Sequence, residues 1–184
     1  MRGAKLLVIA GPTAVGKGTV VREILSLRNN IVLSVSATTR YPREGEVDGK
    51  SYFFLTDAEF DDLIATGQML EYATVHKTHR YGTPRQPVEQ ALGEGKDVLL
   101  EIDVQGARQV KQHMPEAITV FLAPPSWEAL VERLNRRATE TPDEMARRLE
   151  TAREELMSQG EFDHVIVNDD VAKCALAVVD LLSA

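Results

Sequence analysis

Nine consecutive residues near the N-terminus, Gly11, Pro12, Thr13, Ala14, Val15, Gly16, Lys17, Gly18 and Thr19, have the make-up of a loop that grips phosphate. The spacing is G-x-x-x-x-G-K, directly after an apolar run and before a helical pattern. Glycines let the backbone curl until successive amides face inward, and the helix that follows adds the positive end of its dipole. The ammonium of Lys17 then bridges the outer phosphates. Where a Ser or Thr commonly follows the lysine, this chain has Gly18 and then Thr19. Without that hydroxyl, magnesium would be held mainly by nucleotide oxygens and water, and Thr19 would contact a phosphate. Such a loop predicts a nucleoside triphosphate donor but does not name the acceptor.

A second group of residues could hold that acceptor. Arg40 and Arg43 lie in a loop after a predicted strand, with Tyr52 and Tyr81 further on. Two guanidinium forks and two phenolic hydroxyls suit a phosphate monoester. Glu101 and Asp103 stand two apart at the end of another predicted strand, so both carboxylates share one face towards the mouth of the phosphate loop. One could orient the waters of a magnesium ion while the other meets a base edge; Asp103 is equally suited to capping the next helix.

These side chains need a frame, and the pattern supplies one. Leu6 to Ala10, Ile31 to Val35, Val98 to Ile102, Ala117 to Ala123 and Val165 to Val167 read as buried strands. Amphipathic stretches follow most of them, at roughly 17–28, 87–94, 104–113, 127–137, 142–159 and 172–182, which predicts a parallel sheet covered on both faces. Thr56 with Glu59 and Thr141 with Glu144 are capping boxes, the second with Pro142 in the first helical position. The rhythm breaks from Arg40 to about Thr83, where 52–55 and 69–75 look like strands of a separate small sheet flanking one short helix. It breaks again at the arginine-rich helices around 138–142.

Composition narrows the class of protein. With 184 residues, 43% hydrophobic and 27% charged, the chain suits one domain with small insertions. The net charge of -7, from 21 Lys+Arg and 28 Asp+Glu, argues against general binding to nucleic acid or anionic membrane. No apolar run approaches the ~18 residues of a spanning helix. A single cysteine, Cys174, excludes an internal disulfide and suits a reducing cytoplasm. His76, His79, His113 and His164 make no metal-ligand pattern with it, and no nucleophile elbow is present.

Over nearly its whole length the chain resembles the guanylate kinases of the nucleoside monophosphate kinase group. The matching segments are 11–19, 34–40 with Pro42 and Arg43, 45–54, 81–83, 101–106, 121–126, 137–141 and 165–170. The resemblance implies an α/β, P-loop three-layer fold with a parallel central sheet, an inserted small mixed α/β monophosphate-binding region and a helical lid. It divides the chain into a core of residues 1–39 and 84–184, with the lid at about 134–148, and an inserted GMP-binding region at 40–83. It implies transfer of the γ-phosphoryl group of ATP to GMP with Mg2+, with ATP and GMP as partners and the oligomeric state left open. By resemblance Arg40, Arg43, Tyr52 and Tyr81 bind the phosphate of GMP, and Ser36, Thr83 and Asp103 join Glu71 around its base. Arg137 and Arg148 are lid arginines that close over the transferring phosphate, and Asn168 lies near the adenine of ATP. Lys17, Arg40, Arg137 and Arg148 are the catalytic set.

Glu71 carries the base choice. An ionised carboxylate only accepts, so it can take the ring N–H and the exocyclic amino group of guanine together. Adenine offers a lone pair at that ring nitrogen, which would leave two acceptors facing one another at a loss of roughly 1–3 kcal/mol or more. Arg133, Arg136, Arg147 and Arg153 read as solvated or paired with glutamates on helix faces. Two other readings set this one off: a scaffold domain that keeps the fold and binds phosphopeptides, and a kinase of another small phosphate ester, which would not need Glu71.

Overall fold

The computed structural model describes residues 3–75, 79–136 and 141–183. Nine strands and seven α-helices are described: β1 (Leu6–Ala10), α1 (Lys17–Leu27), β2 (Ile31–Leu33), β3 (Ala37–Thr38), β4 (Phe53–Phe54), α2 (Asp57–Ala65), β5 (Met69–Val75), β6 (His79–Pro84), α3 (Arg85–Gly93), β7 (Asp97–Glu101), α4 (Val104–His113), β8 (Ile118–Ala123), α5 (Trp127–Asn135), α6 (Pro142–Met157), β9 (His164–Val167) and α7 (Val171–Ser183).

Five strands form the parallel sheet, in the order β2-β7-β1-β8-β9. All five were legible as apolar runs. β1 at the centre is buried along its length because its side chains alternate between two cores. Leu7 and Ile9 meet Val20, Val21 and Ile24 of α1, Leu130 and Leu134 of α5, and Val178 and Leu182 of α7. Leu6, Val8 and Ala10 meet Val88 of α3 and Ala107 and Val110 of α4. Cys174 is buried on the first of these faces, where desolvation and the Asp169 charge push its thiol up to about 11. It is a core residue.

The second sheet has the order β4-β3-β6-β5 and mixed direction. The sequence pattern predicts two strands here; β3 and β6 join them. Neither shows alternation that could reveal it: β3 is two residues long, and β6 reads His-Arg-Tyr-Gly-Thr-Pro. The sheet thus reaches from Ala37 to Pro84. α2 covers it with Phe60, which packs on Ala37 and Met69. Both predicted capping boxes form, Thr56 with Glu59 on α2 and Thr141 with Glu144 on α6. Arg80 of β6 lies 4.8 Å from the centre of the Phe60 ring and pairs with Asp57 and Asp61, so one guanidinium ties helix to sheet.

Helix α4 joins the two sheets. The side-chain amide of Gln109 exchanges two 3.1 Å hydrogen bonds with the backbone of Tyr72 on the outer strand β5. It takes the place of one residue of a further strand. His113 lies 2.8 Å, through Nδ1, from the Leu70 carbonyl.

Candidate active site

The functional groups gather where β1 and β7 end, as expected for a parallel sheet whose loops open at the strand C-termini. After Ala10 the chain turns through the phosphate loop into α1. Gly16 caps that helix in a left-handed conformation, φ 100, and a Cβ there would stand 2.8 Å from Asn168 Nδ2. Only glycine meets both constraints. Ala14 is also left-handed, with φ 62. Lys17 Nζ donates to the Gly11 carbonyl at 2.6 Å and the Pro12 carbonyl at 3.3 Å, which folds the ammonium back over the loop. Pro12, Thr13, Ala14, Gly16, Lys17, Gly18 and Thr19 line one concave surface with Arg22 and Glu101.

Arg133, which sequence reasoning assigned elsewhere, and Glu155, which it passed over, support this loop. Arg133 of α5 is not a solvated or glutamate-paired side chain: it donates to the carbonyls of Val15, at 3.0 Å, and Asn168, at 3.1 Å. Asn168 itself is 3% exposed and donates through Nδ2 to the same Val15 carbonyl at 2.8 Å, while its Oδ1 has no partner in the chain. No periodicity could have separated Arg133 from Arg136, which does pair with Glu132. The other unforeseen residue is Glu155 of α6. Its carboxylate lies near Lys17 and the Thr13 backbone, with Oε2 buried and unpartnered, and desolvation raises its pKa above the ordinary carboxylate value.

The acceptor side is built from separate elements. Ser36, Tyr52, Glu71, Tyr81, Glu101 and Asp103 line a single cleft with Gly82 and Ile102. At its floor Glu71 is 7% exposed and accepts from Thr83 Oγ1 at 2.7 Å, across the β5–β6 register that sets these two residues opposite each other. Burial, with a smaller push from Asp103, raises Glu71 to about 7, against the lowering effect of Thr83. Gly106 makes the room: a Cβ there would stand 3.0 Å from Glu71 Oε2. Asp103 caps α4 by accepting the Gly106 amide at 2.7 Å and still borders the cleft.

At the other end Arg40 spans the loop after β3. Its Nε donates to Tyr81 Oη at 3.2 Å, and its fork grips Glu46 at 2.8 and 2.9 Å. The guanidinium sits 5.2 Å from the centre of the Tyr52 ring and 5.7 Å from that of Phe54. Arg40, Tyr52 and Tyr81 are therefore brought together, and Arg43 follows three residues on with an exposed side chain. Arg137 lies outside the described residues. Arg148 is exposed on α6, seven residues before Glu155, so it stands on nearly the same helix face about 10 Å along the axis. Among the described residues no group of three or more His, Cys, Asp or Glu could form a metal cage, and no helix is long and apolar enough to cross a membrane.

A phosphate loop at the end of a central parallel strand, beside a cleft lined by tyrosines and carboxylates with an arginine bonded at its rim, defines a nucleoside monophosphate kinase. Residues 3–184 match the family model described as guanylate kinase. A guanylate kinase of Leifsonia xyli is 60% identical over 181 residues, covering 98% of this chain and 71% of that protein. One of Nocardia farcinica is 56% identical over 181 residues, covering 98% and 94%. The crystal structure of guanylate kinase from Anaplasma phagocytophilum superposes with TM-score 0.72 at 34% identity, covering 98% of this chain and 85% of that one. A shikimate kinase from Bacteroides thetaiotaomicron, TM-score 0.52 at 12% identity, shares the fold alone. The chain belongs to the guanylate kinase family.

Proposed function

We propose the following division of labour for the reaction of this family, in which the γ-phosphoryl group of ATP passes to GMP to give ADP and GDP. The phosphate-loop amides and Lys17 hold the donor phosphates. Arg40, Arg43, Tyr52 and Tyr81 hold the phosphate of GMP. Ionised Glu71 takes the guanine ring N–H and amino group, with Ser36, Thr83 and Asp103 beside it. Asn168 borders the adenine. Arg137 and Arg148 close from the lid, about 134–148, and neutralise charge on the transferring group. The inserted region 40–83 moves with the acceptor and the remainder forms the core.

The residues present fit a magnesium ion carried in with ATP. A Cβ on Gly18 would lie 3.4 Å from Glu101 Oε1, so a carboxylate borders the space that a loop hydroxyl would fill. One carboxylate and water suit a small hard cation that keeps most of its hydration. When bound, magnesium supplies charge neutralisation on the phosphate oxygens. No protein nucleophile is needed: the side chains align donor and acceptor in line, and closure excludes water. A cytoplasmic location accords with the buried thiol.

The observation that carries the acceptor assignment is the buried Glu71 carboxylate at the floor of a cleft whose rim is Arg40, Tyr52 and Tyr81. A coupled assay of ADP release with magnesium and ATP, comparing GMP, AMP, CMP and UMP, tests it. Turnover confined to GMP is expected. Equal turnover on all four would remove the base readout, and GMP binding without turnover would favour the scaffold-domain reading.

A further inference from the structure

The sequence-based site leaves out Glu46, which ties the acceptor loop together through both its side chain and its backbone. Glu46 uses both carboxylate oxygens on the fork of Arg40, and Oε2 also accepts the Arg43 amide at 2.7 Å. The Glu46 amide returns a 3.1 Å bond to the Arg43 carbonyl, so residues 43 and 46 close a reciprocal turn. An ion pair on an open surface contributes little, because two long side chains must be ordered against water. Here the Arg40 side chain is 10% exposed and that of Glu46 22%, and the guanidinium is also fixed by Tyr81 and by the Tyr52 and Phe54 rings. The Arg40 fork holds Glu46 well below the usual carboxylate range, at about 2, with help from the Arg43 amide, so it stays ionised at any working pH.

Counting donors shows what this leaves for a substrate. A guanidinium has five N–H groups. Nε serves Tyr81, NH1 serves Tyr41 O and Glu46, and NH2 serves Glu46. One NH2 hydrogen is left, beside a Tyr81 hydroxyl that accepts from Arg40 and so keeps its own hydrogen to donate. We propose that Glu46 is a positioning residue for the acceptor phosphate: it holds Arg40 and the Arg43 backbone in one loop geometry before GMP arrives, without touching GMP itself. The ordering of a rotamer-rich arginine is then completed on folding and not charged to binding. Its charge partly offsets that of Arg40, so the sign of the effect on GMP affinity separates orientation from simple neutralisation.

The proposal rests on the reading of Arg40 as a ligand of the GMP phosphate, and the test separates the two. For the full chain carrying no change, E46Q, E46D, R40M or R40M with E46Q, one would measure KM for GMP, kcat, and the inhibition constant of guanosine, which has the base but no phosphate. Positioning predicts that E46Q raises KM for GMP about tenfold, as for lost charge-assisted hydrogen bonds, with kcat changed less than threefold and guanosine inhibition unchanged. E46D, which keeps the charge with a shorter reach, should fall between, and adding E46Q to R40M should bring no further loss. A KM that is unchanged or lower in E46Q would overturn the proposal, as would equal loss of GMP and guanosine, the signature of a collapsed loop. If R40M leaves KM for GMP unchanged, the phosphate reading itself fails first.

Discussion

The donor and acceptor halves of the site solve similar problems with different materials. On the proposed donor side, anion binding falls to backbone: one unbroken run of residues, bent by Gly16 and clamped from behind by Arg133 and Asn168, on a five-stranded parallel sheet with a core on each face. On the proposed acceptor side it falls to side chains of β6 and of the loop that follows β3, on a small sheet whose core is three buried residues and a few half-buried neighbours. There the order comes from ion pairs and hydrogen bonds, Arg40 with Glu46, Arg80 with Asp57 and Asp61, and Thr83 with Glu71. A backbone cradle tolerates little variation in conformation. A side-chain cleft can be tuned one residue at a time, which is what base selectivity needs.

The comparison would break most visibly if the halves failed separately at neither end. Lys17→Met removes the ammonium of the donor cradle and should lower kcat by about 10³-fold or more, since charge neutralisation dominates phosphoryl transfer. GMP binding, measured by calorimetry without ATP, should stay within about threefold of the parent. Loss of both together would mean that the halves are not separable.

Glu71→Gln tests the opposite end. A glutamine amide presents one donor where two acceptors are wanted, so kcat/KM for GMP should fall about 10²–10³-fold while KM for ATP is held. Stability should move the other way. Glu71 is raised from 4.5 to about 7 in the folded chain. A raised carboxyl stabilises the fold while protonated, and that contribution is lost as pH climbs through about 7. The elevation corresponds to about 3 kcal/mol as an upper figure. Unliganded Glu71→Gln should therefore melt higher than the parent at pH 8 and equal to it near pH 4. In the parent, KM for GMP should rise up to tenfold per pH unit as pH falls below about 7, because guanine needs the ionised form. A flat profile together with unchanged stability would sink the assignment.

How much of this was legible follows the same division. The phosphate loop could be read from its own residues because contiguous backbone chemistry leaves a contiguous signature. The parallel strands could be read because burial on both faces demands unbroken apolar runs. The phosphate end of the acceptor cleft could be read from its residue types, but its base end became legible only through resemblance: nothing local to Glu71 shows that β6 sets Thr83 opposite it or that Gly106 leaves room for it. Arg133, Glu155 and Glu46 stayed hidden for a shared reason. Each looks like one more charged side chain on an exposed segment, and its distinction lies wholly in a partner far along the chain or across a turn.

Arg133 sharpens the contrast at intermediate size. Arg133→Met keeps much of the side-chain packing and removes two bonds to the carbonyls of Val15 and Asn168. Leaving those acceptors short of a charged donor should cost about 1–3 kcal/mol. Because the loss falls on the donor loop, KM for ATP should rise about fivefold to tenfold with KM for GMP held. A change confined to GMP would contradict the clamp.

The smallest expected effect divides the halves most finely, because the same motif occurs in each. Thr56 and Thr141 both cap a helix through a reciprocal box, so Thr56→Ala and Thr141→Ala should each lose about 1 kcal/mol of local helix stability. The consequences should differ by location. Fraying of α2 loosens Asp57 and Asp61 on Arg80, and through β6 it reaches the neighbouring Tyr81, so Thr56→Ala should raise KM for GMP about twofold to threefold and leave KM for ATP alone. Fraying the start of α6 leaves the acceptor cleft untouched and acts only where Arg148 emerges, so Thr141→Ala should lower kcat by a similar factor without moving KM for GMP. Identical kinetic changes from the two variants would show that stability is shared across the whole chain, and the separation of a backbone-built donor half from a side-chain-built acceptor half would not extend to its energetics.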